Sequence, residues 1–126
     1  MMVRAFILKP PAKLMIENAF LVPILPGKTD AALAFANALM TERKKDMDVA
    51  QVSVSKESWF LQKTPMGDFI IVYYISPDPD AVHAALAVSE EPFDVWFRAQ
   101  VLDVTGMDLS TPMTGLPTQI LNWSRP

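Results

Sequence analysis

The chain contains no cysteine and only one histidine, His83, among its 126 residues. The absence of cysteine excludes disulfides, thiolate metal ligands and a cysteine nucleophile. One histidine excludes a site built from several histidines, and we expect no metal. With only four glycines, a glycine-rich loop that cradles nucleotide phosphates is not available, and we expect no cofactor.

Basic charge is also scarce, since 11 Lys and Arg are outnumbered by 14 Asp and Glu and the net charge is -3. Proteins that hold a phosphate backbone do so with clustered Lys and Arg, so this balance argues against a nucleic-acid partner. No apolar run approaches the roughly 20 residues that span a bilayer, and the N-terminal apolar stretch is too short for a signal peptide. We therefore expect a cytoplasmic protein without a membrane partner.

Apolar residues, in contrast, are abundant: 51% of the chain is hydrophobic and 20% is charged. A chain of this length forms one domain with one ordinary core. Pro10 and Pro11 separate the first residues from the rest of the chain, so we interpret residues 1–14 as an N-terminal appendage and residues 15–126 as a single domain. The excess of apolar residues indicates burial beyond the core of a monomer.

Strand and helix signals alternate along the domain. They predict a strand at 18–25, a helix at 29–45, a hairpin at 59–76, helices from 79 and from 92 to 105, and a last short strand at 118–124. This order is typical of an α+β ferredoxin-like sandwich, with an antiparallel sheet and helices on one face.

The hairpin "WFLQKTPMGDFIIVYYIS" is apolar at odd and even positions alike. Pro65 and Gly67 predict a three-residue turn with a bulge, a register that places Trp59 on the face of Tyr73 and Gln62 on the opposite face. Because the helices can cover only one face, we expect the other to pack against a second copy in a homodimer, forming an α+β barrel. The alternative cover is the segment 1–14.

Two stretches carry a resemblance to a known group. "ESWFLQKTPMGDFIIVYY", followed by "SEEPFDVWFRAQVLDVTGMDL", resembles functionally uncharacterised bacterial proteins of the dimeric α+β barrel (dimeric ferredoxin-like) superfamily, over roughly residues 15–123. The resemblance implies the fold and a homodimer. It implies little about activity, because the superfamily includes cofactor-independent monooxygenases, haem-degrading enzymes and stress-responsive proteins.

Side chains able to orient a flat, partly aromatic ligand in a pocket beside the sheet are found between residues 59 and 96. The candidates are Trp59, Gln62, Tyr73, Tyr74, His83 and Trp96. Gln62 is an amide in an apolar strand and needs polar partners if it is buried. The plainer alternative places the aromatic residues in the core or a dimer interface, and His83 on a helix surface with its ring at least partly exposed.

No catalytic residue is assigned from the sequence. Asn18, Trp59 and His83 match the residue types that haem-degrading relatives use, but the strand before the histidine helix holds Tyr73 and Tyr74 where those relatives carry tryptophan. Two functional classes remain: a homodimer that binds a small molecule without turnover, and a cofactor-independent monooxygenase-like enzyme.

Overall fold

Three strands and four helices form the part of the chain described by the structure, a computed structural model covering residues 15–113 and 115–126. In chain order they are β1 (Ile16–Pro23), α1 (Thr29–Met40), α2 (Lys44–Ala50), β2 (Lys56–Thr64), β3 (Gly67–Ser76), α3 (Pro79–Val88) and α4 (Pro92–Thr105). The predicted appendage, residues 1–14, lies outside the described residues. The α+β class and the antiparallel sheet are as predicted, and the arrangement is compatible with a ferredoxin-like fold.

The sheet has the order β1-β3-β2, and both pairs are antiparallel. β3 lies in the centre, where Ile70, Val72, Tyr74 and Ser76 are buried while the residues between them are half-buried. β1 is an edge strand that ends at Pro23, a residue that has no N–H to contribute to a ladder.

The turn between β2 and β3 is one residue shorter than predicted. Thr64 pairs with Gly67, so only Pro65 and Met66 lie between the strands. Gly67 has the expected positive φ, at 124°, but it already belongs to β3. The Thr64 hydroxyl accepts from the Met66 N–H and donates to the Gly67 carbonyl, which stabilises the tight turn without a bulge.

This shorter turn makes the predicted register wrong by one residue. Trp59 is paired with Val72 and therefore shares the face of Tyr74, whereas Gln62 is paired with Phe69 and shares the face of Tyr73. A shift of one position moves every side chain of a strand to the opposite face, because side chains alternate with a period of two.

The helix boundaries follow local signals closely. The Asp78 side chain accepts from the Ala81 N–H and Pro79 opens α3, as predicted. Gly106, with φ 75°, ends α4. The predicted helix at 29–45 is instead two helices, because the chain turns after Met40 and resumes as α2 at Lys44.

The predicted last strand at 118–124 is absent from the structure. Residues 115–126 have no regular secondary structure, and the large apolar side chains of 118–124 are exposed, with Ile120 at 95% and Trp123 at 68%. An alternating pattern becomes a strand only where a neighbouring strand pairs with it, and within the described chain this segment has no such neighbour.

The two faces of the sheet differ in what covers them. The inner face, which faces the helices, contributes Val22, Ile70, Val72 and Tyr74 to a core completed by α1 and α4. The outer face carries Leu21, Phe60, Phe69, Ile71, Tyr73 and Ile75; none of them belongs to the core, and Leu21 and Phe60 are each 56% exposed.

None of the helices in the described part of the chain is long and apolar enough to cross a membrane.

Candidate functional site

A cavity of about 480 Å³ lies between the inner face of the sheet and the helices. Its walls are mainly aliphatic and aromatic, including Phe20, Val22, Phe35, Trp59, Val72, Phe97, Val101 and Val104. Cavities that hold small molecules are of this size and are lined in this way, with a few polar groups that set orientation.

The cavity exists because α3 carries small side chains. Its sequence "PDAVHAALAV" buries no residue, and Ala81 and Ala85 line the cavity together with Val82 and Leu86. Alanine methyl groups fill little of the space between a helix and a sheet, so α3 roofs the cavity without closing it. The spacing of these residues places them on one side of the helix.

A row of polar side chains crosses the three strands at one position of the sheet. Tyr74 on β3 is paired with Asn18 on β1 and with Glu57 on β2, so the three side chains are neighbours on the inner face. Asn18 Nδ2 donates to the Tyr74 hydroxyl at 2.9 Å, and both residues are buried. From α3, His83 Nε2 lies 2.7 Å from the same hydroxyl.

Glu57 is the polar group that our sequence interpretation missed. One of its carboxylate oxygens accepts from Gln51 Nε2 and the other from Trp59 Nε1, both at 2.6 Å. Burial raises the pKa of Glu57, and the two hydrogen bonds oppose that rise. Both oxygens serve as acceptors, the role of an ionised carboxylate. The available signal was the spacing to Trp59, since residues two apart in a strand share a face.

His83 and Tyr74 form a pair of neutral groups near neutral pH. Burial lowers the pKa of His83, although the charge of Asp80 opposes this. Burial also raises the pKa of the Tyr74 phenol, and the charges of Glu57 and Asp80 add to the rise while the Asn18 hydrogen bond opposes it. His83 is half-buried, so the prediction that its ring is at least partly exposed is confirmed.

Three of the six candidate residues line the cavity: Trp59, Tyr74 and His83. The edge of the Phe35 ring contacts the Trp59 ring, with centroids 5.4 Å apart, and this contact fixes the indole on the cavity wall. Asn18 is not a lining residue, and its amide is already used by Tyr74.

The other three candidates lie elsewhere. Gln62 is exposed on the outer face and donates to the Lys63 carbonyl at 3.1 Å, so the buried amide considered from the sequence is not found. Tyr73 is also on the outer face and donates to Glu17, a hydrogen bond that is the main cause of its raised pKa. Trp96 packs on Phe35 at one side of α4, with the Arg43 guanidinium 4.2 Å from its ring centre.

Within residues 15–113 and 115–126, no three His, Asp or Glu side chains come together as metal ligands. The chain matches no protein-family model, no curated protein and no solved structure. The resemblance to the dimeric α+β barrel superfamily therefore stays a prediction, and function has to be argued from the cavity itself.

Proposed function

We propose that the protein is a homodimer that binds a small, partly aromatic molecule in the cavity beneath α3. The observation that carries the proposal is the cavity itself: about 480 Å³ of space walled by aliphatic and aromatic side chains, with hydrogen-bonding groups on one row of the sheet. An apolar space of this size offers a small molecule dispersion contacts with its walls. Aromatic edges from Phe35, Trp59 and Phe97 meet around it and suit a flat ring system.

A fluorescent probe tests the binding function. N-phenyl-1-naphthylamine is neutral and apolar, and its emission rises when it leaves water. We expect saturable binding with one probe per chain. Val82→Trp fills the cavity from α3 and should abolish the binding, whereas Val88→Trp on the same helix, at a position 78% exposed, should preserve it. Equal binding by both variants would place the probe elsewhere and contradict the proposal.

The homodimer is supported by the outer face of the sheet. Leu21 and Phe60 are more than half exposed there, beside half-buried Phe69, Ile71 and Tyr73. Full burial of an exposed large apolar side chain contributes about 1.5–3 kcal/mol, and a partner would gain a fraction of that from each of these half-exposed side chains. Contiguous apolar patches of this kind mark interfaces. A second copy presents the same patch about a two-fold axis.

We place this dimer in the cytoplasm, a reducing compartment with which a chain without cysteine is compatible.

Light scattering tests the dimer, for which we expect twice the chain mass of 14.0 kDa at micromolar concentration. Ile71→Asp with Tyr73→Asp should give monomer or aggregate, because two carboxylates in the interface would be buried without partners. Val49→Asp with Val88→Asp adds the same charge at exposed helix positions and should remain dimeric. A monomeric wild type would refute the dimer and leave the binding proposal standing.

The hydrogen-bonded pair of Tyr74 and His83 favours a second candidate, a cofactor-independent monooxygenase-like enzyme. In the tautomer whose Nε2–H donates to the Tyr74 hydroxyl, the other ring nitrogen of His83 is a base able to take a proton from a phenolic substrate. This deprotonation is the step that makes such a substrate reactive toward oxygen. The test is oxygen consumption with hydroquinones as substrates. Turnover that is lost in His83→Gln would support the enzyme, and binding without turnover supports the non-catalytic function.

A further inference from the structure

The charge lining the cavity has one sign. Glu57 and Asp94 are among the described residues that line it, and none of those residues is Lys or Arg. Asp94 already accepts from the Ser89 hydroxyl at 2.6 Å. An anionic ligand would therefore approach a carboxylate with no cation on the walls to balance it, and both charges would be poorly hydrated.

The polar groups lie at one end of the cavity floor. Glu57 and Tyr74 form one row across the inner face. In the next row, two residues away along each strand, Val72 is paired with Phe20 and with Trp59, and the indole N–H of Trp59 is used by Glu57. Beyond it, Ile70 is paired with Val22. A ligand lying along the floor therefore meets the hydrogen-bonding groups of the sheet at one end only, and apolar side chains of the sheet along the rest of its length.

Glu57 is the group at this end with unused hydrogen-bonding capacity. A carboxylate offers about four acceptor positions, and Glu57 uses two of them for Gln51 and Trp59. These two donors hold the carboxylate in one orientation against the wall of the cavity. The Tyr74 hydroxyl is engaged by Asn18 and His83, and the remaining positions of the Glu57 carboxylate can accept a hydrogen bond from a ligand.

We propose that the cavity selects a flat, apolar molecule with one hydrogen-bond-donating head group, a neutral phenolic hydroxyl or an ammonium, which docks against the Glu57 carboxylate. This inference rests on the proposed binding function and names the class of ligand for the same site. The rings of the ligand lie over Val72 between Phe20 and Trp59, and the head group donates to Glu57. A ligand with a carboxylate head group is rejected.

Four probes that share one ring system test the inference by isothermal titration calorimetry at neutral pH. They are 2-naphthol, 2-naphthylmethylamine, 2-naphthoate and 2-methylnaphthalene, which differ only in the head group. We expect 2-naphthol or the amine to bind at least about tenfold more tightly than 2-methylnaphthalene, because one hydrogen bond to a charged group contributes on that scale. We expect 2-naphthoate to bind most weakly of the four. The tighter of the two donors identifies the head group.

Glu57→Gln should remove this preference, bringing the donor probes within about threefold of 2-methylnaphthalene. Glu42→Gln neutralises an exposed carboxylate on the turn between α1 and α2 and should leave the preference unchanged. Circular dichroism establishes that the variants are folded, and if Glu57→Gln does not fold, the order of the four probes on the wild type decides alone.

The outcomes separate the two proposals. If 2-naphthoate binds as tightly as 2-naphthol and the amine, or if folded Glu57→Gln keeps the preference, the head-group inference is wrong while binding in the cavity stands. If none of the four probes binds, the proposed function itself fails.

Discussion

The Tyr74 hydroxyl forms hydrogen bonds with Asn18 on β1 and His83 on α3. The variant Tyr74→Phe removes this one oxygen and so tests what the hydroxyl contributes to stability. Tyr74 is 2% exposed and Asn18 is 8% exposed, so water cannot take the place of the hydroxyl at the Asn18 amide. An unpaired buried donor costs about 1–3 kcal/mol. The lost bond to His83 adds less, because that residue is half-buried. We expect a loss of about 2–3 kcal/mol in the free energy of unfolding.

Urea denaturation measures the loss, with all variants at one protein concentration because the stability of a dimer depends on concentration. Asn18→Leu replaces the other partner by an apolar side chain of similar shape. The double variant should be less destabilised than the sum of the two single variants, because an apolar pair leaves no polar group unpaired.

Tyr73→Phe is the matched control, since it removes the same atom on the outer face. Its partner there, Glu17, is a carboxylate on the edge strand β1 that is exposed in the single chain, so we expect a smaller loss than for Tyr74→Phe, whose partner Asn18 is buried within the chain. Equal stability of Tyr74→Phe and the wild type would refute the view that the hydroxyl satisfies a buried amide.

Two further predictions concern the hairpin and the pH dependence of stability. Gly67 has φ 124° and nothing lies within 4 Å of an added Cβ. Gly67→Val should therefore lose about 1–2 kcal/mol in the free energy of unfolding, measured by urea denaturation, through backbone strain alone. Met66→Val, at a position 91% exposed, is the control, and equal losses in the two variants would contradict this explanation. Burial lowers the pKa of His83 from 6.5, so its stabilising contribution is complete above pH 6.5 and is lost as pH falls through the folded-state pKa. The wild type should therefore lose stability relative to His83→Gln on acidification, and parallel pH curves would show that burial does not suppress protonation.

Local sequence signals were enough to predict the order of most elements and several of their ends. Asp78 and Pro79 start α3, Gly106 ends α4, and Gly67 takes a positive φ. These signals are reliable because capping, a missing N–H and backbone sterics act over a few neighbouring residues. The apolar character of β3 at successive positions likewise predicted a strand within the sheet, whatever its register.

The register, the fate of the last strand and the contents of the cavity depend instead on tertiary packing. A turn shorter by one residue placed Trp59 and Tyr73 on opposite faces instead of one, and the alternating segment at 118–124 has no strand beside it within the described chain. Glu57 became the most informative polar group because the fold sets it beside Tyr74 and beneath the small side chains of α3. A cavity is space that packing leaves unfilled between elements distant in sequence, and no local pattern records it.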